Sequence, residues 1–549
     1  MATRQTSIGR LRAQPRSSWR LLAGALGTVA LLIVAFAVAV LLLSGVSLAS
    51  DQTALARVSV QPFGGSLRSV HAFGPHGRRI PLSVHEGRLT PRTRLTPGEL
   101  ITVEVVVSRP GWSSWALGAT KHERLTMHAP VAHIGSRWLT VAEGAQPRVQ
   151  FDQPVAAVGY GGGGKLRRRP LAEAGKQVTL QGRPSIGTAL VAAAPRPWER
   201  LGAPARVAWF PKSSTPLVVA SPAPGTQVSP AGRISLMFSK PVSQVLGSAR
   251  PQLSPKTPGH WRLLDSHTLQ FTPSGFGAAF ASNLSVRLPH QVGVPAGPSG
   301  GGAVTQTSTL AWHVPAGSTL RLQQLLAQAD YLPLEWSPSG AEVKRTPAAE
   351  VKAAVAPPAG HFSWRYGNTP TGLQELWSEG EAPEMVKGAV MMFEEEHDLT
   401  VDGIAGQDVW RALINAAIAG KRHQGGYTYV YVHREVPETL TLWHDGETVL
   451  TTPANTGIAG GETETELGTF AVFEHVPEGT MEGTNPDGSH YHDEGIKWIS
   501  YFNKGEAIHN FDRASFGTPQ SLGCVELPLQ AAAEVWPYTP IGTLVTIAG

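Results

Sequence analysis

The chain has 549 residues, with 60 Gly, 44 Pro, a single Cys and a formal net charge of +5. That length is too great for one core and divides into several units of roughly 100 residues, while Gly and Pro spread along the whole chain suit short strands and turns better than a helical protein. Five arginines within the first 20 residues equal the entire charge excess, so nothing in the remainder calls for nucleic acid, and a lone cysteine rules out an internal disulfide framework.

Arg4, Arg10, Arg12, Arg16 and Arg20 stand in a leading segment without an acidic residue, and Leu21 to Ser50 carry no charge. The stretch from Leu21 to Leu43 is almost wholly apolar, enough for one helix across a hydrocarbon layer of roughly 30 Å. We therefore expect a cytoplasmic tail over 1–20 and a transmembrane helix over 21–49, with everything after Asp51 outside the cell membrane by the positive-inside rule. A cleaved signal peptide is the alternative, although its apolar region normally spans only ~7–15 residues.

From Gln52 to about His313 apolar and polar residues alternate between Pro/Gly turns, as in Leu100-Ile-Thr-Val-Glu-Val-Val-Val107, which predicts β modules over 50–130, 131–217 and 218–315. An internal repeat supports this: Val149-Gln-Phe-Asp-Gln-Pro-Val-Ala-Ala-Val158 matches Leu236-Met-Phe-Ser-Lys-Pro-Val-Ser-Gln-Val245 in its apolar positions. The spacing fits one immunoglobulin-sized unit. Ser221-Pro-Ala-Pro-Gly225 through Phe238-Ser-Lys-Pro-Val242 resembles bacterial Ig-like modules that act as spacers. Gly159-Tyr-Gly-Gly-Gly-Gly-Lys165 has the spacing of a phosphate-binding loop, but Leu166 stands where a magnesium-binding Ser/Thr is required, so a hairpin loop is the reading.

Between 316 and 422 the period becomes helical, with Leu320, Leu322, Leu325 and Leu326, then Val386, Ala389, Val390 and Phe393 at i, i+3, i+4 and i+7. Val401, Asp402, Gly403, Gly406, Trp410 and Leu413 follow the second of these, and this run resembles a peptidoglycan-binding domain, in which a tight Val-Asp-Gly-x-x-Gly turn leads to a helix packed through Trp and Leu. A Pro- and Ala-rich insert from Pro347 to Pro358 and the run His361-Phe-Ser-Trp-Arg-Tyr366 depart from that family's compact form. Trp364 and Trp377 read as core rather than sugar-stacking residues.

Strands return over 424–549: Tyr427-Thr-Tyr-Val-Tyr-Val-His433, then Glu438-Thr-Leu-Thr-Leu-Trp443 and Glu447-Thr-Val-Leu-Thr-Thr452 around an Asp445-Gly446 hairpin turn, with Gly468-Thr-Phe-Ala-Val-Phe473 and Gly542-Thr-Leu-Val-Thr-Ile547 later. From Gln424 onward four Lys/Arg face 17 Asp/Glu, so an acidic head follows a basic stem. The stem suits anionic polymers and the head amine-bearing substrates.

Within the head stand Ala507-Ile-His-Asn510 and Ser521-Leu-Gly-Cys-Val-Glu-Leu527. A thiol attacks acyl carbon as thiolate, and an imidazole that accepts its proton activates it. His509 is the nearest preceding histidine to Cys524, and Gly523 permits a tight turn that would aim amides at an oxyanion. A lone His before a lone Cys is by itself weak. His490-Tyr-His492-Asp493 offers two metal ligands as in a zinc peptidase, but no distant third ligand is evident. A sortase would carry Thr-Leu-x-Thr-Cys, whereas Thr543-Leu-Val-Thr546 is followed by Ile547.

The strand pattern gives weight to the pair. Gly457, Gly468-Thr-Phe470, Ile508-His509, Ser521, Gly523-Cys-Val525 and Gly542-Thr-Leu-Val545 together resemble the L,D-transpeptidase (YkuD-like) catalytic domain over nearly all of 427–549. The resemblance implies a cysteine acyltransferase without cofactor or metal, acting on peptidoglycan stem peptides. Cys524 would be the nucleophile, His509 the base and the Asn510 carbonyl its orienting group, with Gly523 and Cys524 amides as oxyanion hole and Ser521, Leu522 and Glu526 in substrate binding. Attack after the third stem residue would release D-alanine, and an amine on another stem would take the acyl group. Water as acceptor would make a carboxypeptidase. Leu522 replaces the family's second His and Glu526 its usual Arg or Asn, so a degenerate wall-binding scaffold is the rival. The expected whole is a multidomain, mainly β protein, anchored in the cell membrane and working at the wall.

Overall fold

The computed structural model describes residues 19–112, 114, 118–142, 144–162, 164–183, 186–295, 304–305, 309–458, 460–461 and 463–549. The arginines expected to form a cytoplasmic tail, Arg4, Arg10, Arg12 and Arg16, lie outside them, as does the side chain of Arg20. The chain is mainly β, 41% strand against 17% helix, and forms two compact units, Met1–Lys212 and Ser213–Gly549.

In the first unit an apolar helix runs over Trp19–Leu43. Among the described residues no helix is long and apolar enough to cross a membrane, and side chains of this one are described from residue 26. The limit expected at 49 is corrected: Ser44-Gly45 stops the helix, glycine being a poor helix former, and Val46–Ser50 pairs antiparallel with Ala56–Val60. The alternating run Leu100–Ser108 pairs with Ser66–Phe73 and Thr120–His128 and buries Ile101, Val103, Val105 and Val107 against Leu55 and Leu89. A five-stranded sheet over Trp138–Pro211 closes on Val149, Phe151 and Trp209. Gly159 and Gly161 belong to a strand, Arg148–Gly161. The next described element is another strand, Arg169–Thr179, not the helix a phosphate-binding loop needs.

The two copies of the sequence repeat fold differently around their Pro-Val pair. In the first, Pro154 lies where the Arg148–Gly161 strand shifts register, between Gln150 and Val155, a place that tolerates a residue without N–H. In the second, Ile234–Phe238 ends and Pro241 starts a one-turn helix, Val242–Val245, because its fixed φ of −52° suits a helix start.

The second unit begins with a four-stranded and a three-stranded sheet enclosing Phe238, Phe271 and Trp312. Helices Thr319–Gln328, Pro347–Val355, Glu384–Glu396 and Gln407–Ala419 follow, with a hairpin of Leu334–Pro338 and Gly360–Trp364. The insert is thus largely a helix begun by Pro347, and Trp364 and Trp377 are partly buried against the core, Trp377 packed on Phe362. Buried Glu394 accepts the amides of Asp402 (3.0 Å) and Gly403 (2.8 Å), which fixes the Asp-Gly turn with Gly403 at φ +70°.

The last 120 or so residues form two sheets. The five-stranded one runs Glu447–Pro453, Thr439–His444, Thr428–His433, Leu544–Ala548, Gly468–Ala471; the four-stranded one runs Glu474–Thr484, His490–Asn503, Glu506–Asn510, Val525–Leu527. Val430, Leu440, Val472, Ile508, Val525 and Val545 fill the core they share with helix Leu529–Val535. Tyr427, Tyr429, Trp443, Ala471 and Leu544 instead join the core of the preceding helices, with Met385, Val386 and Val390. Contact there is backbone to backbone: a Cβ on Gly388 would lie 2.5 Å from Gly542 O, and one on Gly542 2.3 Å from Gly388 O.

Candidate active site

The four-stranded sheet brings the candidate residues together. Glu506–Asn510 and Val525–Leu527 run parallel, with Ile508 opposite Val525, His509 opposite Glu526 and Asn510 opposite Leu527. Strand side chains alternate between faces, so Ile508 and Val525 enter the core while His509 and Glu526 share the other face. Cys524, immediately before its strand and two residues from Glu526, falls on that face, two positions along from His509. It packs against the small cluster of Ile496, Ile499 and Ala507, as do Tyr501 and Phe511, and remains partly exposed.

Each group has defined partners. His509 is 2% exposed, and its Nδ1 lies 2.7 Å from the carbonyl oxygen of Asn510. A carbonyl only accepts, so Nδ1 carries the proton and Nε2 keeps its lone pair. Burial, the largest influence, pulls the imidazole below the ordinary histidine range, against the Asn510 hydrogen bond and Glu526. Asn510 is itself held, its Oδ1 accepting the Lys497 amide at 2.6 Å. The Cys524 thiol donates to Gly505 O at 3.7 Å rather than to the imidazole. Burial pushes it up to about 12, Glu526 and Glu506 push the same way, and the Ala507 backbone pulls down. Both shifts favour the uncharged forms, a thiol and an unprotonated imidazole.

The turn before the thiol is built on Ser521, which is fully buried. Its Oγ donates to Cys524 O at 2.6 Å and accepts the Gly523 amide at 3.2 Å. The expectation that Ser521 contacts substrate gives way to a role inside the turn, since its hydroxyl is occupied there. The Gly523 amide, expected in an oxyanion hole, is likewise directed at that hydroxyl, whereas the Cys524 amide has no partner among the described residues. Gly523 adopts φ +118°, a region that strains any residue with a Cβ. Leu522 is half-buried and lines the cleft described below. Glu526 is 4% exposed and held by Arg513, whose Nε and a terminal nitrogen donate to its two oxygens at 2.8 and 2.6 Å. Arg513 also lies over the Phe511 ring, 4.5 Å from its centroid.

Arg513 was not among the residues expected in the site. A signal existed, because an acid between Val525 and Leu527 in a buried strand needs a cation, and Arg513 is the one Lys or Arg between His509 and Cys524. Thr465, which donates to Gly523 O at 2.9 Å and accepts the Gly457 amide at 2.8 Å, has no such signature. Neither has Asn455, whose Oδ1 accepts Gly517 N at 3.0 Å.

A cleft of about 650 Å³ opens at the turn before Cys524, lined by Leu522, Gly523, Gly505, Glu506, Tyr491 and Lys504 among others. A cleft of about 690 Å³ among the helices, lined by Arg321, Trp336 and Glu350 among others, includes no residue next to His509 or Cys524, so the former is the candidate site. Histidines of the His490–Asn503 strand gather no metal site: His492 lies between Glu482 (3.2 Å) and Glu494 (3.3 Å), and among the described residues no group of three or more such side chains could hold a metal.

Residues 427–547 match the YkuD L,D-transpeptidase catalytic domain. Similar solved structures include an L,D-transpeptidase from Mycobacterium smegmatis, 13% identical over 61% of this chain and 100% of that one, TM-score 0.21. L,D-transpeptidase 3 from Mycobacterium tuberculosis is 11% identical over 61% and 99%, TM-score 0.20. The catalytic domain of the E. faecium L,D-transpeptidase acylated by ertapenem is 26% identical over 23% and 99%, TM-score 0.20. No curated protein matches the chain. Residues 427–547 are an L,D-transpeptidase catalytic domain of the YkuD family.

Proposed function

We propose that this protein cross-links peptidoglycan by passing the acyl group of a donor stem through a thioester on Cys524. The observation that carries the reading is the parallel pairing of Glu506–Asn510 with Val525–Leu527, which sets Cys524 two positions along from His509, with a cleft at the turn before Cys524. As Sγ attacks the carbonyl carbon after the third stem residue, its proton passes to Nε2. The C–N bond then breaks and the imidazolium returns that proton to the departing D-alanine amine. The Asn510 carbonyl fixes the tautomer this requires, and the unpartnered Cys524 amide is the available oxyanion donor. An acceptor amine finally attacks the thioester, and the sulfur leaves as thiol.

In this reading Trp19–Leu43 anchors the protein in the cell membrane, the N-terminus is cytoplasmic, Ig-like modules act as spacers, and the helical segment over 316–422 engages glycan. The full-length chain in detergent, incubated with ertapenem or a disaccharide-tetrapeptide, tests the chemistry by mass spectrometry. An adduct on Cys524, absent from Cys524→Ala and His509→Ala, together with released D-alanine and dimer, is expected. Activity that survives Cys524→Ala overturns it. The anchor is tested by carbonate extraction of membranes, which should leave the protein in the pellet.

A further inference from the structure

We infer that Glu506 is the carboxylate that docks the ammonium of the acyl acceptor, making the site selective for a primary amine on an aliphatic chain; this rests on the function proposed above. Three carboxylates line the cleft, Glu464, Glu466 and Glu506, with two cations, Arg434 and Lys504. Glu464 is paired with Arg434 and Glu466 with Lys504. Glu506 has no ion pair among the described residues; Lys504 feels its charge but bonds to Glu466. Its Oε1 accepts the Glu466 amide at 2.9 Å and its Oε2 accepts from Asn503 Nδ2 at 2.9 Å. Each oxygen therefore keeps a lone pair while the carboxylate is held in orientation.

Its position suits the second half of the reaction. A Cβ built on Gly523 would lie 3.7 Å from Glu506 Oε1, so the carboxylate rests against the turn that carries the nucleophile, and the preceding carbonyl, Gly505 O, receives the thiol. Leu522 and Leu467 supply apolar wall in the same cleft, matching the methylenes of an alkylammonium. With the ammonium docked, one proton passes to Glu506 and on to solvent. The neutral nitrogen attacks the thioester carbon, the C–N bond forms, the C–S bond breaks, and the second nitrogen proton goes through His509 to the sulfur. Atoms and charge balance without a further reagent.

The test is a partition ratio, which is independent of how fast the acyl-enzyme forms. Full-length protein is given a disaccharide-tetrapeptide donor with either N-acetylcadaverine, an ammonium at neutral pH, or hydroxylamine, a small neutral nucleophile, and amide, hydroxamate and hydrolysed products are counted. Glu506→Gln should lower the ratio of N-acetylcadaverine amide to hydrolysis by about tenfold or more, the value of one charge-assisted hydrogen bond, and leave the hydroxamate ratio within about twofold; Glu506→Asp should recover part of the loss. An unchanged amide ratio, or equal loss with both nucleophiles, overturns the inference while the enzyme reading stands. Wild-type protein that forms no product and takes no ertapenem adduct overturns both.

Discussion

The protonation of the Cys524 thiol can be measured directly, because Cys524 is the only cysteine and any thiol reagent reports on it alone. Its thiol is raised from 9.0 to about 12, which at neutral pH leaves about a thousandfold less thiolate than an ordinary cysteine. Iodoacetamide needs a thiolate but no oxyanion hole, so labelling of the free enzyme should run about a thousandfold slower than that of a model thiol at pH 7.5. It should climb about tenfold per pH unit without a plateau below about pH 11. Ertapenem acylation should proceed at pH 7.5 nonetheless, because its carbonyl draws the proton transfer to Nε2, and His509→Ala should abolish it while leaving alkylation within about threefold. Liquid chromatography with mass spectrometry across pH 6–12 gives both rates. A labelling plateau near pH 7 would refute the reasoning, since it would mean a preformed thiolate–imidazolium pair.

Stability should follow the same two groups. The Cys524 contribution is complete below pH 9.0 and is lost as pH rises toward about 12. The His509 contribution, from a depressed pKa, is complete above pH 6.5 and is lost as pH falls below it; hydrogen exchange of residues 507–527 against pH reads both. Arg513→Met should destabilise the same segment by about 2–3 kcal/mol, because Glu526 stays buried without its cation while the arginine was itself partly exposed, and adding Glu526→Leu should return it to within about 1 kcal/mol of wild type. Gly523→Ala should cost about 1–3 kcal/mol through its φ of +118° and slow ertapenem acylation about a hundredfold by displacing the nucleophile. Residues 424–549 expressed alone should aggregate where 316–549 folds, because Tyr427, Tyr429, Trp443 and Leu544 lose their cover. That re-exposure is worth roughly 5 kcal/mol or more, comparable with a domain's whole stability.

Much of the site was legible because its signals are local. Strand alternation in Leu100–Ser108, the Asp445-Gly446 turn and the Ile-His and Gly-Cys blocks each depend on neighbours in sequence, and the last two blocks stand on adjacent strands. What escaped depends on partners far along the chain. Nothing near Ser521 says that its hydroxyl is occupied by the Gly523 amide and the Cys524 carbonyl, and nothing near Asn455 says that it caps residue 517 from 62 positions away. The outer limit of 49 followed the uncharged run, whereas the apolar run ends at Leu43, where the helix stops before Ser44-Gly45 and the β-branched Val46. The repeat misled differently: the same Phe-x-x-Pro-Val pattern serves a bulged strand once and a helix start once, and the choice lies in pairing rather than in the motif.

The abutting glycines Gly388 and Gly542 leave no room for a cushion of side chains between the helix Glu384–Glu396 and the end of the catalytic sheet. A joint of that kind transmits angle as well as position. A turn of the helical segment about this joint would therefore carry the catalytic sheet with it, as a bracket does and a leash does not.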